Sequence, residues 1–150
     1  MSKLAAVTLV LSTFCLAQNQ NQEIEKPIRN LFLGMKNADA DLIQSAFTDT
    51  AVLQTITKDG TVKSEEIKNF ISSIVKIPKG SIDERIEIEA IHSDGMLASV
   101  FTPYSFYYRE KFTHCGANSF QLVKQKDNSW KIQYLIDTRR KDSCKEIKER

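Results

Sequence analysis

The feature that constrains the fold most is a change of hydrophobic period near residue 82. Before it, apolar residues recur at helical spacing; after it, they alternate. Ile24, Ile28, Leu31, Phe32 and Met35 fall at i, i+4, i+7, i+8 and i+11, one stripe of a helix, and Pro27 is tolerated because it lies in the first turn. After "KNADAD", where Asn37 or Asp39 serves as cap, Leu42, Ile43, Ala46 and Phe47 predict a second, short helix. "AVLQTIT" reads as a strand ended by the turn Lys58-Asp59-Gly60. Ser64 is expected to open a third helix with Glu65 and Glu66 in its first turn and Ile67, Phe70, Ile71, Ile74 and Val75 on its buried face, stopped by Pro78 and Gly80.

In "DERIEIEAIH" Ile86, Ile88 and Ala90 alternate with Arg85, Glu87 and Glu89, a strand with one dry and one wet face on which Glu87 and Glu89 are solvated. Asp94-Gly95 turns the chain into "MLASVFTPYSFYY", where Pro103 cannot donate to a ladder and implies a bulge or an edge. "KFTHCGANSFQLVKQ" and "WKIQYLIDTRR" complete four consecutive antiparallel strands. Helices first and strands second make an α+β domain with three N-terminal helices on an antiparallel sheet.

A chain of 150 residues holds one such domain and one core. Its start, "MSKLAAVTLVLSTFCLAQ", has a lone Lys3, an apolar run from Leu4 to Leu16, and small residues at Cys15 and Ala17 before polar "QNQNQ". That pattern predicts a signal peptide at residues 1–17, a mature domain at 18–150, and a secreted or periplasmic product. Bulky Phe14 before Cys15 argues against a lipid anchor, and the apolar run is too short to span a bilayer, so no stable membrane attachment is expected. Loss of residues 1–17 removes only Lys3 among the charged residues and takes the net charge from +2 to +1. Near-neutral charge gives no field for nucleic acid, and the tail "RRKDSCKEIKER" interleaves its cations with Asp142, Glu146 and Glu149, as a solvated terminus does.

The order of these elements, with "DADLIQSAFTDTAVL", the "DG" turn, "NSFQLVK" and "WKIQYLIDTRR", resembles the nuclear transport factor 2-like superfamily, and within it the exported bacterial members grouped as lumazine-binding or SnoaL-like. The resemblance covers roughly residues 24–144. It implies a cystatin-like α+β cone, in which a strongly curved sheet wraps the helices, with a pocket at the open end and often a dimer through the sheet. It implies no particular reaction, because the superfamily includes ketosteroid isomerase-like and scytalone dehydratase-like enzymes, polyketide cyclases and proteins without known activity. The isomerase pattern of a base carboxylate facing a tyrosine and a protonated aspartate does not map onto this chain residue by residue.

If the dry face of the last strand carries Trp130, Ile132, Tyr134 and Ile136, then Asp137 and Arg139 face the other way. The matching face of the preceding strand holds His114, Gly116, Asn118, Phe120 and Leu122, with Gly116 marking a bulge or a close backbone approach. A one-residue slip after Asp127 would send Asp137 inward and make a His114–Asp137 pair. Tyr104, Phe106 and Tyr108 share one parity, and with Phe120, Trp130 and Tyr134 they form the expected wall for a small, largely apolar ligand, into which His114 and Asn118 bring polar tips.

His114 has no second ligand at i+2 or i+4, so no metal site is expected, and no cofactor is implied. The reading reached is therefore a secreted small-molecule-binding domain, not necessarily catalytic. Its first alternative is a cofactor-independent lyase or isomerase using His114, with Asp137, Tyr104 or Tyr108 as partner; its second is a protein-interaction domain. Phe101, Tyr107 and Leu135 fall on outward parities, which suits a homodimer through the outer sheet face. Once Cys15 leaves with the signal peptide, Cys115 and Cys144 are the two cysteines of an exported chain, and an even pair there is expected to form a disulfide. Cys115 faces outward, where the tail reaches it without entering the core.

Overall fold

The structure is a computed structural model that describes residues 3–148, with the side chains of residues 20–148. The expected signal peptide, residues 1–17 with Cys15, lies outside the described side chains. In chain order the elements are α1 (Lys3–Asn37), α2 (Ala40–Ala46), β1 (Phe47–Ile56), β2 (Val62–Glu65), α3 (Ile67–Ile74), β3 (Ile82–Ile86), β4 (Ala90–Asp94), β5 (Leu97–Tyr108), β6 (Lys111–Lys124) and β7 (Trp130–Thr138). The helices pack on one face of an open, curved sheet of order β2-β1-β7-β6-β5-β3, with β4 also paired to β5. All pairings are antiparallel except β1 with β7.

The apolar stripe of α1 does what its spacing requires: Ile24, Ile28, Leu31, Phe32 and Met35 are all buried against the sheet. Asp39 caps α2 by accepting from Leu42 N at 2.9 Å. The connection between the two helices is tight at Gly34, where a Cβ would stand 2.7 Å from Ile43 Cγ1. Ile71 and Ile74 anchor α3, whereas Val75 is exposed.

Three elements differ from the sequence expectation. Ser64 and Glu65 do not open α3 but pair with β1 as β2, opposite Gln54 and Leu53, and the helix starts two residues later behind Glu66. "DERIEIEAIH" is two strands: pairing with β5 runs Ile86↔Tyr104 and resumes at Ala90↔Phe101, a slip of one residue opposite Pro103. Pro103 has no N–H to give, so the irregularity it forces sits in its neighbour; Glu87 N and Glu89 N still donate to Pro103 O and Phe101 O.

The third difference decides the site. In β7 the pairing with β6 jumps from Leu122↔Ile132 to Gln121↔Tyr134, so Gln133 is an extra residue and the faces exchange there. Trp130 and Ile132 point to the core, as expected. Beyond the bulge Leu135 and Asp137 point inward and Tyr134 and Ile136 outward, the reverse of the simple alternation. The bulge is filled by its own side chain: Gln133 Oε1 accepts from Thr48 Oγ1 at 2.9 Å and Nε2 donates to Thr50 O at 3.0 Å, both on the stretch of β1 that is itself out of register.

The outer face of the sheet is partly closed by the C-terminal tail. Arg140 pairs with Cys115 through both backbone bonds, Cys144 is joined to Cys115, and Ser105 Oγ donates to Lys145 O and accepts from Ile147 N. Tyr107 lies buried beneath this strap with the Arg85 guanidinium 3.9 Å from its ring centre. The tail is thus bound along its length rather than solvated free, although its charged side chains remain exposed.

Candidate functional site

Between α1, α3 and the concave face of the sheet lies a cavity of about 340 Å³. Its helix side is apolar, built by Leu31, Phe32, Met35, Phe70, Ile74 and Ile77. Its sheet side is mixed: beside apolar Leu53, Ile82, Phe106 and Leu135 it carries the polar groups of Glu84 from β3, Tyr104 from β5, His114 and Asn118 from β6, Asp137 from β7 and Arg139 just beyond it. Strand register explains the convergence, since Thr102↔Asn118↔Asp137↔Thr55 run as one cross-strand row, with Glu84↔Phe106↔His114 as another.

Asp137 is buried, accepts from Thr55 Oγ1, and takes Arg139 Nε on its other oxygen at 3.1 Å. Glu84 accepts from Asn118 Nδ2 at 3.0 Å through Oε1 alone, and no described residue hydrogen-bonds its Oε2. Burial raises the Glu84 carboxyl to about 7; the Asn118 bond opposes that, the Asp137 charge adds to it, and Arg139 opposes it again. Glu84 still shows some surface, because it lines the cavity.

Tyr104 donates its hydroxyl to Thr138 O at 2.8 Å, and burial, with the charges of Glu84 and Asp137, raises its ionisation far out of reach. His114 stacks on Phe106 with ring centres 4.7 Å apart and meets Tyr104 edge-on at 5.8 Å. Burial lowers its basicity, and Arg139 lowers it further, so the ring is neutral near pH 7. Its tautomer follows from proton counting: Thr113 Oγ1 gives its single proton to Phe106 O at 3.0 Å, so at 3.0 Å from His114 Nδ1 it accepts, and Nε2 keeps its lone pair.

The residues singled out from the sequence separate into two sets. Tyr104, Phe106, His114, Asn118 and Asp137 line the cavity together. Phe120 and Trp130 are inward but belong to the closed core, Phe120 meeting Phe32 edge-on at 6.3 Å. Tyr108 does not reach the site: it is the last residue of β5, exposed beside Arg109. Tyr134 is on the outer face, where its hydroxyl donates to Gln54 Oε1 at 2.7 Å, and Leu135, expected outside, lines the cavity. The bulge at Gln133 is the reason for both exchanges and for the inward Asp137 and Arg139.

Sequence reasoning missed Glu84 altogether. The signal was present, because Glu84 shares the parity of Ile86 and Ile88, the dry face of its strand. Among the described residues no group of three or more histidine, cysteine, aspartate or glutamate side chains is arranged to hold a metal ion.

Solved structures similar to this chain share the fold. A nuclear transport factor 2-like protein of unknown function from Shewanella baltica is 18% identical, with 81% of this chain and 94% of that chain covered and a TM-score of 0.68. A cystatin-like-fold protein of unknown function from Nostoc punctiforme is 13% identical, covering 81% and 92% with a TM-score of 0.67. A ketosteroid isomerase-like protein from Erwinia carotovora atroseptica is 15% identical, covering 77% and 92% with a TM-score of 0.57. No curated protein matches the chain. Residues 19–134 match the family described as "Putative lumazine-binding", and the chain is a member of that family, with the nuclear transport factor 2-like fold.

Proposed function

We propose that this protein is an exported small-molecule-binding domain whose ligand occupies the cavity between α1, α3 and the concave sheet face. The observation that carries this reading is the two-sided lining: an apolar helix wall opposite a sheet wall on which Glu84, Asn118 and His114 keep hydrogen-bonding capacity that no described residue uses. The volume of about 340 Å³ suits a small ring system. The family description names lumazine, a flat bicycle with apolar faces and an edge of ring N–H and C=O groups, which matches such a lining. Fluorescence titration with lumazine is expected to show saturable binding, weakened about fivefold by His114→Ala or Asn118→Ala, the ~1 kcal/mol of one polar contact. Absence of binding, or affinity indifferent to both substitutions, contradicts the reading.

Export rests on the Lys3, apolar run and Ala17 pattern. Cleavage after Ala17 leaves every described buried side chain of α1 in the mature chain, the first of them being Ile24. N-terminal sequencing of the exported protein is expected to begin at Gln18; a start at Met1 contradicts this. A homodimer through the outer face of β4 and β5 is supported by exposed Leu97 and Phe101 there, while the tail closes the Tyr107 end. Sedimentation is expected to give a dimer mass, and a concentration-independent monomer excludes it.

One observation favours acid–base catalysis as a second reading. Two carboxyl groups share one site in different surroundings, Glu84 buried with its midpoint raised to about 7 and Asp137 bonded to Arg139 and Thr55. The candidate base is then Glu84 rather than His114, whose basicity is lowered. Solvent deuterium entering the methyl groups of 6,7-dimethyllumazine in the presence of the protein, and not of its Glu84→Gln variant, would support catalysis; no incorporation leaves binding alone.

A further inference from the structure

The polar wall can be read for what remains unused after its internal bonds are counted. Both oxygens of Asp137 are engaged, by Thr55 and by Arg139, and the Tyr104 proton is committed to Thr138 O. On the wall around Glu84 four capacities remain: Oε2 of Glu84, Oδ1 of Asn118, Nε2 of His114 and the terminal nitrogens of Arg139. Glu84 and Asn118 are joined at 3.0 Å, so the two side chains act on one part of the cavity wall.

We propose that the cavity selects ligands bearing a cyclic-amide edge, a ring N–H beside a carbonyl, and that Glu84 with Asn118 reads that edge. This rests on the ligand-binding reading above and narrows its chemistry. With Oε1 taken by Asn118, a neutral Glu84 offers the O–H of Oε2 to the ligand's carbonyl while Asn118 Oδ1 accepts from the adjoining N–H, a two-point contact that an ionised carboxylate cannot complete because it has no donor. His114 Nε2 accepts from a further ring N–H, and Arg139 donates to a second carbonyl.

Burial raises the Glu84 midpoint to about 7, so the protonated form persists well above the ordinary glutamate range. From β7 it faces Asp137 and Arg139, from β5 the neutral Tyr104, from β6 Asn118 and the neutral His114, and Glu65 of β2 lines the far side of the cavity. On its own strand Asp83 is engaged by Lys36 of α1 at 3.2 Å and by Arg85 at 2.7 Å. The other side chains that α1 and α3 bring to the cavity are apolar, apart from Ser73. Affinity for a cyclic amide therefore falls about tenfold per pH unit above the Glu84 midpoint.

The test uses quinazoline-2,4-dione, a flat cyclic imide whose ring N–H stays protonated over the range used, and its 1,3-dimethyl derivative, which lacks that N–H. Both are titrated calorimetrically against the wild-type protein and Glu84→Gln between about pH 6 and pH 8.5. The expected result is binding of the dione at low pH with the tenfold-per-unit loss above ~7, binding at least tenfold weaker for the dimethyl compound, and a flat pH profile for Glu84→Gln, whose amide is a permanent donor and acceptor. Equal affinity for the two compounds, or an unchanged pH slope in Glu84→Gln, overturns this inference while leaving the cavity a binding site. Failure of both compounds to bind at any pH, in either protein, overturns it together with the binding reading.

Discussion

The hydroxyl of Tyr104 on β5 reaches across β6 to Thr138, the last residue of β7, donating to its carbonyl at 2.8 Å. The ring can lie there only because the intervening residue is Gly116: a Cβ at that position would meet Thr138 O and stand 2.6 Å from Tyr104 Cε1. One partner is backbone and the other a ring pinned by its own hydrogen bond, so neither can give way. Gly116→Ala is expected to destabilise the fold by about 3 kcal/mol, and Tyr104→Phe by about 1 kcal/mol. Urea denaturation checks both; an unchanged midpoint for Gly116→Ala contradicts the close approach.

Glu84 makes stability depend on pH in a defined direction. Its carboxyl ionises near 4.5 when unfolded and at about 7 in the folded chain, so the stability gained by keeping it neutral is complete below 4.5 and is lost as pH rises to 7. Glu84→Gln removes that loss. The variant is expected to gain about 3 kcal/mol on the wild type between pH 4 and pH 8. Thermal denaturation at both pH values measures it, and a difference independent of pH excludes it.

Asp137 adds to the raising of Glu84, whereas Arg139 opposes it. Asp137→Asn leaves the guanidinium without its carboxylate, so both changes lower the Glu84 midpoint. The variant is also expected to lose roughly 1–3 kcal/mol, because a charged bond from Arg139 disappears. A Glu84 midpoint that rises or stays fixed in Asp137→Asn contradicts the electrostatic arrangement described here.

The strap held by Cys115 and Cys144, 29 residues apart in sequence, covers Ser105 and Tyr107. Titration of unreduced, denatured mature protein is expected to find no thiol; two thiols exclude the bridge. In the chain-entropy account, closing a loop of that length contributes about 3.5 kcal/mol, so Cys115→Ser with Cys144→Ser is expected to lower the unfolding midpoint accordingly.

The helical stripe of α1 and the inward face of β6 from His114 to Leu122 were legible because no residue is inserted in either run, so the period set by Ile24, Ile28, Leu31 and Phe32 in one and by Phe120 and Leu122 in the other holds throughout. In β7 the residues after Gln133 carry apolar side chains on both sides, Leu135 inward and Tyr134 and Ile136 outward, and period two cannot locate an inserted residue in such a run. What fixes the bulge is Gln133 bonding to Thr48 and Thr50, more than eighty positions away in sequence and invisible to local pattern. Hence Asp137 and Arg139 were assigned to the wrong face. Glu84 was missed for a different reason. A glutamate in a run of alternating charges reads as solvated, and only its shared parity with Ile86 and the cross-strand Asn118 mark it as part of the cavity.

Burial on the cavity wall keeps the Glu84 proton far above the ordinary glutamate range, which 13C NMR of its side-chain carboxyl carbon through a pH titration measures, with Glu84→Gln supplying the assignment. The expected midpoint is about 7. A midpoint at the ordinary glutamate value near 4.5 would contradict it.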